Sequence, residues 1–292
     1  MIMPLKRNYA RYAPTSGGDV YLYESPSEFL KDRPKTGISS IFYGNGILDL
    51  QLLRRSSNNL VVIFHAAADP ESSTLPIFVG QSITHDLDAS ILYVSDPSLD
   101  FGIPIGWFVG DQNRPLQEDL VGIIQHIASE CDTQNVIFQG ASAGGFAALF
   151  YSNQFPGSLA IGINPQTDID AYHPNKVAEY KSACWGGRSP ASKKAVTNLL
   201  KLYSTRFPNF VLFLQNQRDI FHLQNHYRPW EERFGELYGK QWCTLQGDWG
   251  EGHAAPPPYL QELVLKFSLS FGGQWPALMR EDDFKDGLKF PD

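Results

Sequence analysis

Basic runs are missing from this 292-residue chain: no stretch of Lys or Arg exceeds a pair, as at Arg54-Arg55 and Lys193-Lys194, and 31 acidic residues outnumber 24 basic ones. Without a stripe of cations to neutralise phosphates, nucleic acid is not expected as a partner. Long apolar runs are missing too. No segment approaches eighteen consecutive apolar residues, and the opening MIMPLKRNYARYAPTSGGD lacks the apolar stretch of seven or more that a secretory signal needs. The expectation is a cytoplasmic chain with no membrane span, unless a leader was removed from this sequence. Cysteine is scarce: Cys131, Cys184 and Cys243 form an odd set without CxxC spacing, which predicts buried free thiols in a reducing compartment and no metal site. Charged residues make up only 19% against 42% hydrophobic and 13% aromatic, a balance that excludes intrinsic disorder and leaves ample core. No repeat or low-complexity tract is visible, and no feature of the sequence sets an oligomeric state.

What is present is an alternation of short apolar runs with amphipathic stretches, the pattern of a mostly parallel sheet covered on both faces. Three period-two segments at 19–25, 38–43 and 46–54, separated by Pro, Gly and Asn turns, predict antiparallel lead-in strands along one sheet edge. Six further strands are expected at 60–66, 89–96, 135–140, 159–164, 209–215 and 241–247, five of them nearly unbroken apolar runs as doubly covered strands require. Helices fit at 116–131, 143–153, 226–238 and 257–271, with another near 75–85. In the first of these, Leu116, Leu120, Ile123, Ile124 and Ile127 recur at helical spacing and make one apolar stripe. Two connections exceed what a βα unit needs: 97–115, and 165–208, which carries Tyr172, Trp185, a Gly186-Gly187 break and the amphipathic run KKAVTNLLKLY. The second reads as a small cap inserted in a single α/β domain spanning 1–292.

Gly140-Ala141-Ser142-Ala143-Gly144 is the chemical centre of the sequence. As a bare pattern G-x-S-x-G is weak, but here apolar residues lead into it and a run of small residues leaves it, so Ser142 falls on a strand-to-helix turn with its Oγ at the sheet's carboxyl edge. Ala141, Ala143, Gly144 and Gly145 keep that turn narrow. A serine hydroxyl is a poor nucleophile at neutral pH and needs a base plus a group that orients the base. Asp219, just past the strand NFVLFLQ, supplies the acid; Asp168 in NPQTD competes for that role, with a helix cap as its alternative reading. His253 supplies the base, from a glycine-flanked loop after the strand QWCTLQG. The oxyanion requires backbone donors, expected from Ala143 and from the loop His65-Ala66-Ala67-Ala68-Asp69, with Ala67 ahead of Ala66; losing one such donor costs about 3 kcal/mol in the transition state. His65 reads as a structural member of that loop.

The order strand-HAAAD, strand-GASAGG-helix, strand-QNQRD and strand-GDWGEGH resembles the α/β-hydrolase superfamily over residues 40–272. The resemblance implies Ser142 as nucleophile, Asp219 as acid, His253 as base and Ala143 with Ala67 as oxyanion donors; alanines stand where many members carry HG or HGGG. A second resemblance, to hydrolase-fold glycan O-acetyltransferases of bacterial accessory secretion systems, rests on the elbow followed by Asn164-Pro165-Gln166-Thr167-Asp168, a segment that also reads as a turn whose Asn and Asp cap the first cap helix.

Other chemistries lack their context. His222 and His226 have i, i+4 spacing but no third ligand, so no metal is expected and the pair is placed at the site rim or in solvent. No dinucleotide or P-loop motif occurs. Trp107, Trp185 and Trp249, with Phe108, are candidates for lining an acyl or sugar pocket. The expected activity is a cofactor-free serine hydrolase cleaving a small-molecule or glycan carboxylic ester through an acyl-enzyme on Ser142. An O-acyltransferase, a peptidase of the same fold and a non-catalytic binding module are the alternatives, in that order.

Overall fold

The computed structural model describes residues 6–16, 19–69 and 73–281; the first five residues of the leader reading lie outside them. Among the described residues nine strands form one sheet: β1 (Val20–Tyr23), β2 (Gly37–Tyr43), β3 (Gly46–Leu53), β4 (Asn59–Phe64), β5 (Ser90–Val94), β6 (Asn135–Ala141), β7 (Leu159–Ile163), β8 (Phe210–Asn216) and β9 (Trp242–Gly247). Their spatial order is β1-β2-β3-β5-β4-β6-β7-β8-β9. From β5 to β9 every pairing is parallel, and β3 is antiparallel to both of its neighbours.

One edge pairing departs from expectation. β1 runs parallel to β2, not antiparallel, because a short helical turn, Pro26–Phe29, intervenes and returns the chain in the same direction. Ser25 caps that turn, its side chain accepting from the Glu28 N–H, so the segment does not close as a hairpin.

Alternation within each central strand feeds two apolar layers. Leu60, Val62 and Phe64 of β4 face one layer while Val61 and Ile63 face the other, and Phe138 and Ile137 of β6 divide in the same way. The first layer is closed by the helix Leu116–Glu130, through the predicted stripe of Leu116, Leu120, Ile123, Ile124 and Ile127, and by the helix Ala143–Asn153, every residue of which is buried. The second is closed by the helix Pro258–Ser270 through Leu260, Val264 and Leu265. The three cysteines are free and buried. No helix among the described residues is long and apolar enough to cross a membrane.

Helix boundaries show where the sequence pattern misled. Of the stretch 75–85 only Gln81–Thr84 is helical, since Pro76 and the left-handed Gly80 (φ +92°) hold the preceding residues out of the helix. The expected helix at 226–238 begins earlier, at Ile220, and runs through a wide turn at Leu223–Tyr227 into Arg228–Phe234. Within 165–208 the main helix is Pro174–Trp185, started by Pro174 and ended by Gly186 in the left-handed conformation; KKAVTNLLKLY is an α-helix only over Leu199–Thr205, with Asn198 capping its start.

The parallel strands end in step. Phe64 pairs with Gly140, Ala141 with Ile163, Ile163 with Leu214 and Asn216 with Gly247, so the loops bearing His65, Ser142, Asn164, Asp219 and His253 all leave one edge of the sheet.

Candidate active site

Ser142 occupies a turn that an L-residue rarely adopts, with φ +57° and ψ −115°, between β6 and the helix Ala143–Asn153. Such a conformation costs about 1–3 kcal/mol and persists only where its surroundings over-determine it. Here three hydrogen bonds do so: the Ser142 N–H donates to Ile163 O (2.9 Å), and Ser142 O accepts from the N–H groups of Phe146 (3.1 Å) and Gln166 (3.2 Å). The small residues around it are dictated by contact. A Cβ at Gly140 would lie 2.2 Å from Gly144 O, and one at Gly144 would lie 2.5 Å from Phe64 O and 2.6 Å from His65 O. The elbow therefore exists because the helix backbone touches the strands on either side.

The Ser142 side chain is buried and its Oγ accepts a hydrogen bond from Gln166 Nε2 at 3.0 Å. Among the described residues no hydrogen bond joins that hydroxyl to His253; such bonds are often long in the free enzyme and tighten with substrate.

Asp219 follows β8 and is 3% exposed. Its Oδ2 accepts from His253 Nδ1 at 2.5 Å, and its Oδ1 accepts from the His222 backbone N–H at 3.1 Å and from His222 Nδ1 at 3.0 Å. Burial works to raise the carboxyl pKa, but the hydrogen bonds from His222 and His253, with the charge interaction with His222, outweigh it and hold the group well below the usual carboxylate range. Since both histidines use Nδ1 as donor, each carries its free lone pair on Nε2. Asp168, the competing acid, is engaged elsewhere: it accepts from the Asp170 N–H (3.0 Å) and from Asn198 Nδ2 (2.5 Å), capping a turn, and burial raises its pKa.

The His253 loop is anchored although its glycines are flexible. Asn216 Nδ2 donates to both Gly250 O and Gly252 O at 2.8 Å, and Asn164 Nδ2 donates to Ala254 O at 2.8 Å while its Oδ1 accepts from the Asn216 N–H at 2.7 Å. Asn164 is the residue after Ile163, which holds the Ser142 amide, so one short segment binds both the elbow and the His253 loop. Arg218 adds an ion pair to Glu251 on the exposed side.

His222 and His226 do not face solvent or the rim; they are buried, at 2% and 0% exposure. His226 Nδ1 accepts from the Thr167 N–H (3.2 Å), and burial pushes its pKa down to about 3. Burial also lowers His222 against the pull of Asp219. The Asp219–His222 spacing, acid and histidine three residues apart beyond a strand, was the signal for this partnership in the sequence. Asp219, His222 and His253 bring ligand atoms within 4.8 Å of one another. A tetrahedral zinc with bonds of about 2.0–2.1 Å would hold its ligands about 3.3 Å apart, however. The separations of 2.5 Å and 2.9 Å from Asp219 Oδ2 suit shared protons better than a shared cation.

In the loop His65–Asp69, His65 is structural: Nδ1 donates to Ala66 O (2.6 Å), Nε2 accepts from the Asp96 N–H (3.0 Å), and burial keeps the ring neutral by lowering its pKa. The Ala68 N–H donates to Pro104 O at 2.8 Å. Ala67 is exposed and lines a surface cavity with Ala68, Gly102, Pro104 and Lys176. Ala143 is buried at the helix start, one residue past the serine.

The tryptophans separate. Trp107 is buried and its Nε1 donates to Gln166 Oε1. Trp185 closes the helix Pro174–Trp185 and lines one surface cavity with Val109, Gln112 and Pro115, and Trp249, half-buried against Gly247, lines another with Ala255 and Pro257.

No protein-family model and no curated protein matches the chain. Solved structures do, and with the sheet order and strand-to-helix elbow they define an α/β-hydrolase fold. One is a puromycin-hydrolyzing peptidase of Mycobacterium tuberculosis, at a TM-score of 0.57 and 14% identity over 82% of this chain and 40% of that one. The Glycosylation Associate Protein (Gap123) complex of Streptococcus agalactiae is similar at 0.54 and 12% identity, over 85% and 47%. This chain thus spans less than half the length of either. The capsule O-acetyltransferase of Neisseria meningitidis serogroup A is similar at 0.57 and 13% identity, over 85% of this chain and 99% of that chain.

Proposed function

We propose that the protein is a serine-dependent carboxylic ester hydrolase, with Ser142 as nucleophile, His253 as general base and acid, and Asp219 as the group that orients the imidazole. The observation that carries this reading is the 2.5 Å contact between Asp219 and His253 on the sheet edge where Ser142 stands on a strained elbow. With Nδ1–H committed to the carboxylate, Nε2 is the atom left to take the serine proton. As the Oγ–C bond forms, the carbonyl electron pair moves to oxygen, where the Ala143 N–H and the Ala66–Ala67 segment are the backbone donors. Collapse re-forms the C=O and breaks the bond to the alcohol, which leaves with the proton from His253. Water repeats the sequence and frees the acid. No cofactor enters these steps.

A second reading has its own support. Likeness across 99% of a capsule O-acetyltransferase favours an acyl-enzyme captured by a sugar hydroxyl in place of water.

The test is labelling by a fluorophosphonate, wild type against Ser142→Ala, with hydrolysis of p-nitrophenyl esters of increasing chain length measured alongside. Labelling and hydrolysis are expected in the wild type only; hydrolysis that survives in Ser142→Ala overturns the reading. Transfer of acetyl to added glycans faster than its release to water would select the transferase.

A further inference from the structure

We propose that Gln166 is a catalytic residue of this site, its carboxamide N–H serving as a side-chain donor to the oxyanion. The proposal rests on the reading of Ser142 as nucleophile. Gln166 is fully buried and reaches the reacting atom directly, with Nε2 3.0 Å from Ser142 Oγ.

The orientation of the amide is fixed by chemistry. An indole N–H can only donate, so the Gln166 atom facing Trp107 Nε1 must be the carbonyl oxygen, and the NH₂ is thereby turned to Ser142. A second bond, Gln166 N–H to Ser142 O at 3.2 Å, ties the backbones of the two residues together. Trp107 is itself held. It and Phe108 are consecutive non-glycine residues in the left-handed region, at φ +55° and +57°. Phe108 is pinned by its N–H to Asp96 Oδ2 (2.8 Å) and by Tyr151 Oη donating to Phe108 O (2.9 Å). The Trp107 ring packs edge-on against Tyr180 and Tyr172, at 5.2 Å and 5.9 Å between centroids. Two strained residues in succession, spent on aiming an indole at a buried amide beside the nucleophile, mark a preorganised donor.

The donor has a place to act. In the free enzyme one Nε2–H rests on Oγ. When Oγ bonds to the substrate carbonyl carbon, its proton passes to His253 and the charge develops on the carbonyl oxygen, attached to that same carbon. An ester-like Oγ is a poor acceptor and the geminal O⁻ a strong one, so the N–H transfers its hydrogen bond from the first to the second; on collapse it returns. In the HAAAD loop the Ala68 N–H is already committed to Pro104 O and does not compete for this role.

The experiment compares wild type, Gln166→Glu, Gln166→Ala and Ser142→Ala on p-nitrophenyl acetate, with thermal melting as the check on folding. Gln166→Glu keeps the shape and still accepts from Trp107 but turns a carboxylate oxygen to the serine; it is the informative variant if the alanine variant does not fold. Expected is a fall in kcat on the order of 10²–10³-fold with KM near the wild-type value. The affinity of a boronic acid that forms a tetrahedral adduct on Ser142 should fall by a comparable factor, which a merely structural role would not produce in a folded variant. Hydrolysis lost in Ser142→Ala but kept within about threefold in folded Gln166→Glu overturns this proposal alone. Hydrolysis kept in Ser142→Ala overturns the parent reading and this proposal with it.

Discussion

The imidazole of His222 lies flat against that of His253, ring centroids 3.9 Å apart and planes inclined by 15°, while both rings donate through Nδ1 to the carboxylate of Asp219. One acid thus serves two stacked histidines, of which only His253 is exposed. Burial lowers the pKa of His222 against the pull of Asp219, which disfavours a second positive charge beside His253. Its ring is faced by Asp219 and His226 from its own segment, by Tyr172 and His173 from the connection after β7, and by His253 from the loop after β9.

His222→Phe keeps an aromatic face against His253 and removes one donor from Asp219. The full carboxylate charge then acts on the remaining imidazole, and the acid limb of the kcat/KM profile is expected to move to higher pH by up to roughly one unit, equivalent to about 1.4 kcal/mol. An acid limb that stays in place or moves to lower pH contradicts shared use of the carboxylate.

Stability should fall on mild acidification. His226 is held down to about 3, and His65 and His222 are lowered as well, all chiefly by burial. In the unfolded chain histidine takes up its proton near pH 6.5. Between about 6.5 and 3 the unfolded state therefore binds more protons than the folded state, and stability drops as pH falls, by up to about 1.4 kcal/mol per pH unit per histidine. Asp219, whose pKa is lowered, loses its contribution only below about pH 4, so the window above that belongs to the histidines. Urea denaturation at pH 7.5 and 4.5 should show a smaller loss for His226→Gln than for wild type; equal losses would rule out the assignment.

Two glycines should respond with opposite signs. Gly144→Ala pushes a Cβ into the backbone carbonyls of Phe64 and His65 at 2.5 and 2.6 Å, and is expected to destabilise by about 1–3 kcal/mol or more and to lower activity by displacing the loop that begins at His65. Gly122→Ala, within the helix Leu116–Glu130 and with open space around its Cβ, should stabilise by about 0.5–1 kcal/mol. Thermal melts of the two variants decide the matter.

The sheet was legible because β4 to β9 are runs of residues that must be covered on both faces, and the elbow because Gly140 and Gly144 have no side chain to clash. Local pattern failed where a distant partner makes the decision. The parallel pairing of β1 depends on the turn at Pro26–Phe29 carrying the chain across. The helix Pro174–Trp185 buries Val177, Tyr180, Cys184 and Trp185 at helical spacing between the start and stop signals Pro174 and Gly186, so it was present in the residues although 165–208 was read only as a connection. Gln166 was visible in NPQTD, but its contact with Ser142 depends on a tryptophan 59 residues away. His222 was legible in spacing from Asp219 and obscured by its equal fit to a metal pattern.

Asn164 and Asn216 give the loop bearing His253 a location that its own glycines do not encode. A graft of residues 248–254 onto another scaffold would carry the imidazole without its address. Transplanting the two carboxamides together with the loop is the smallest unit that preserves the arrangement, and a designer shortening or lengthening the loop between Gly250 and Gly252 would break the pair of bonds that Asn216 makes to it.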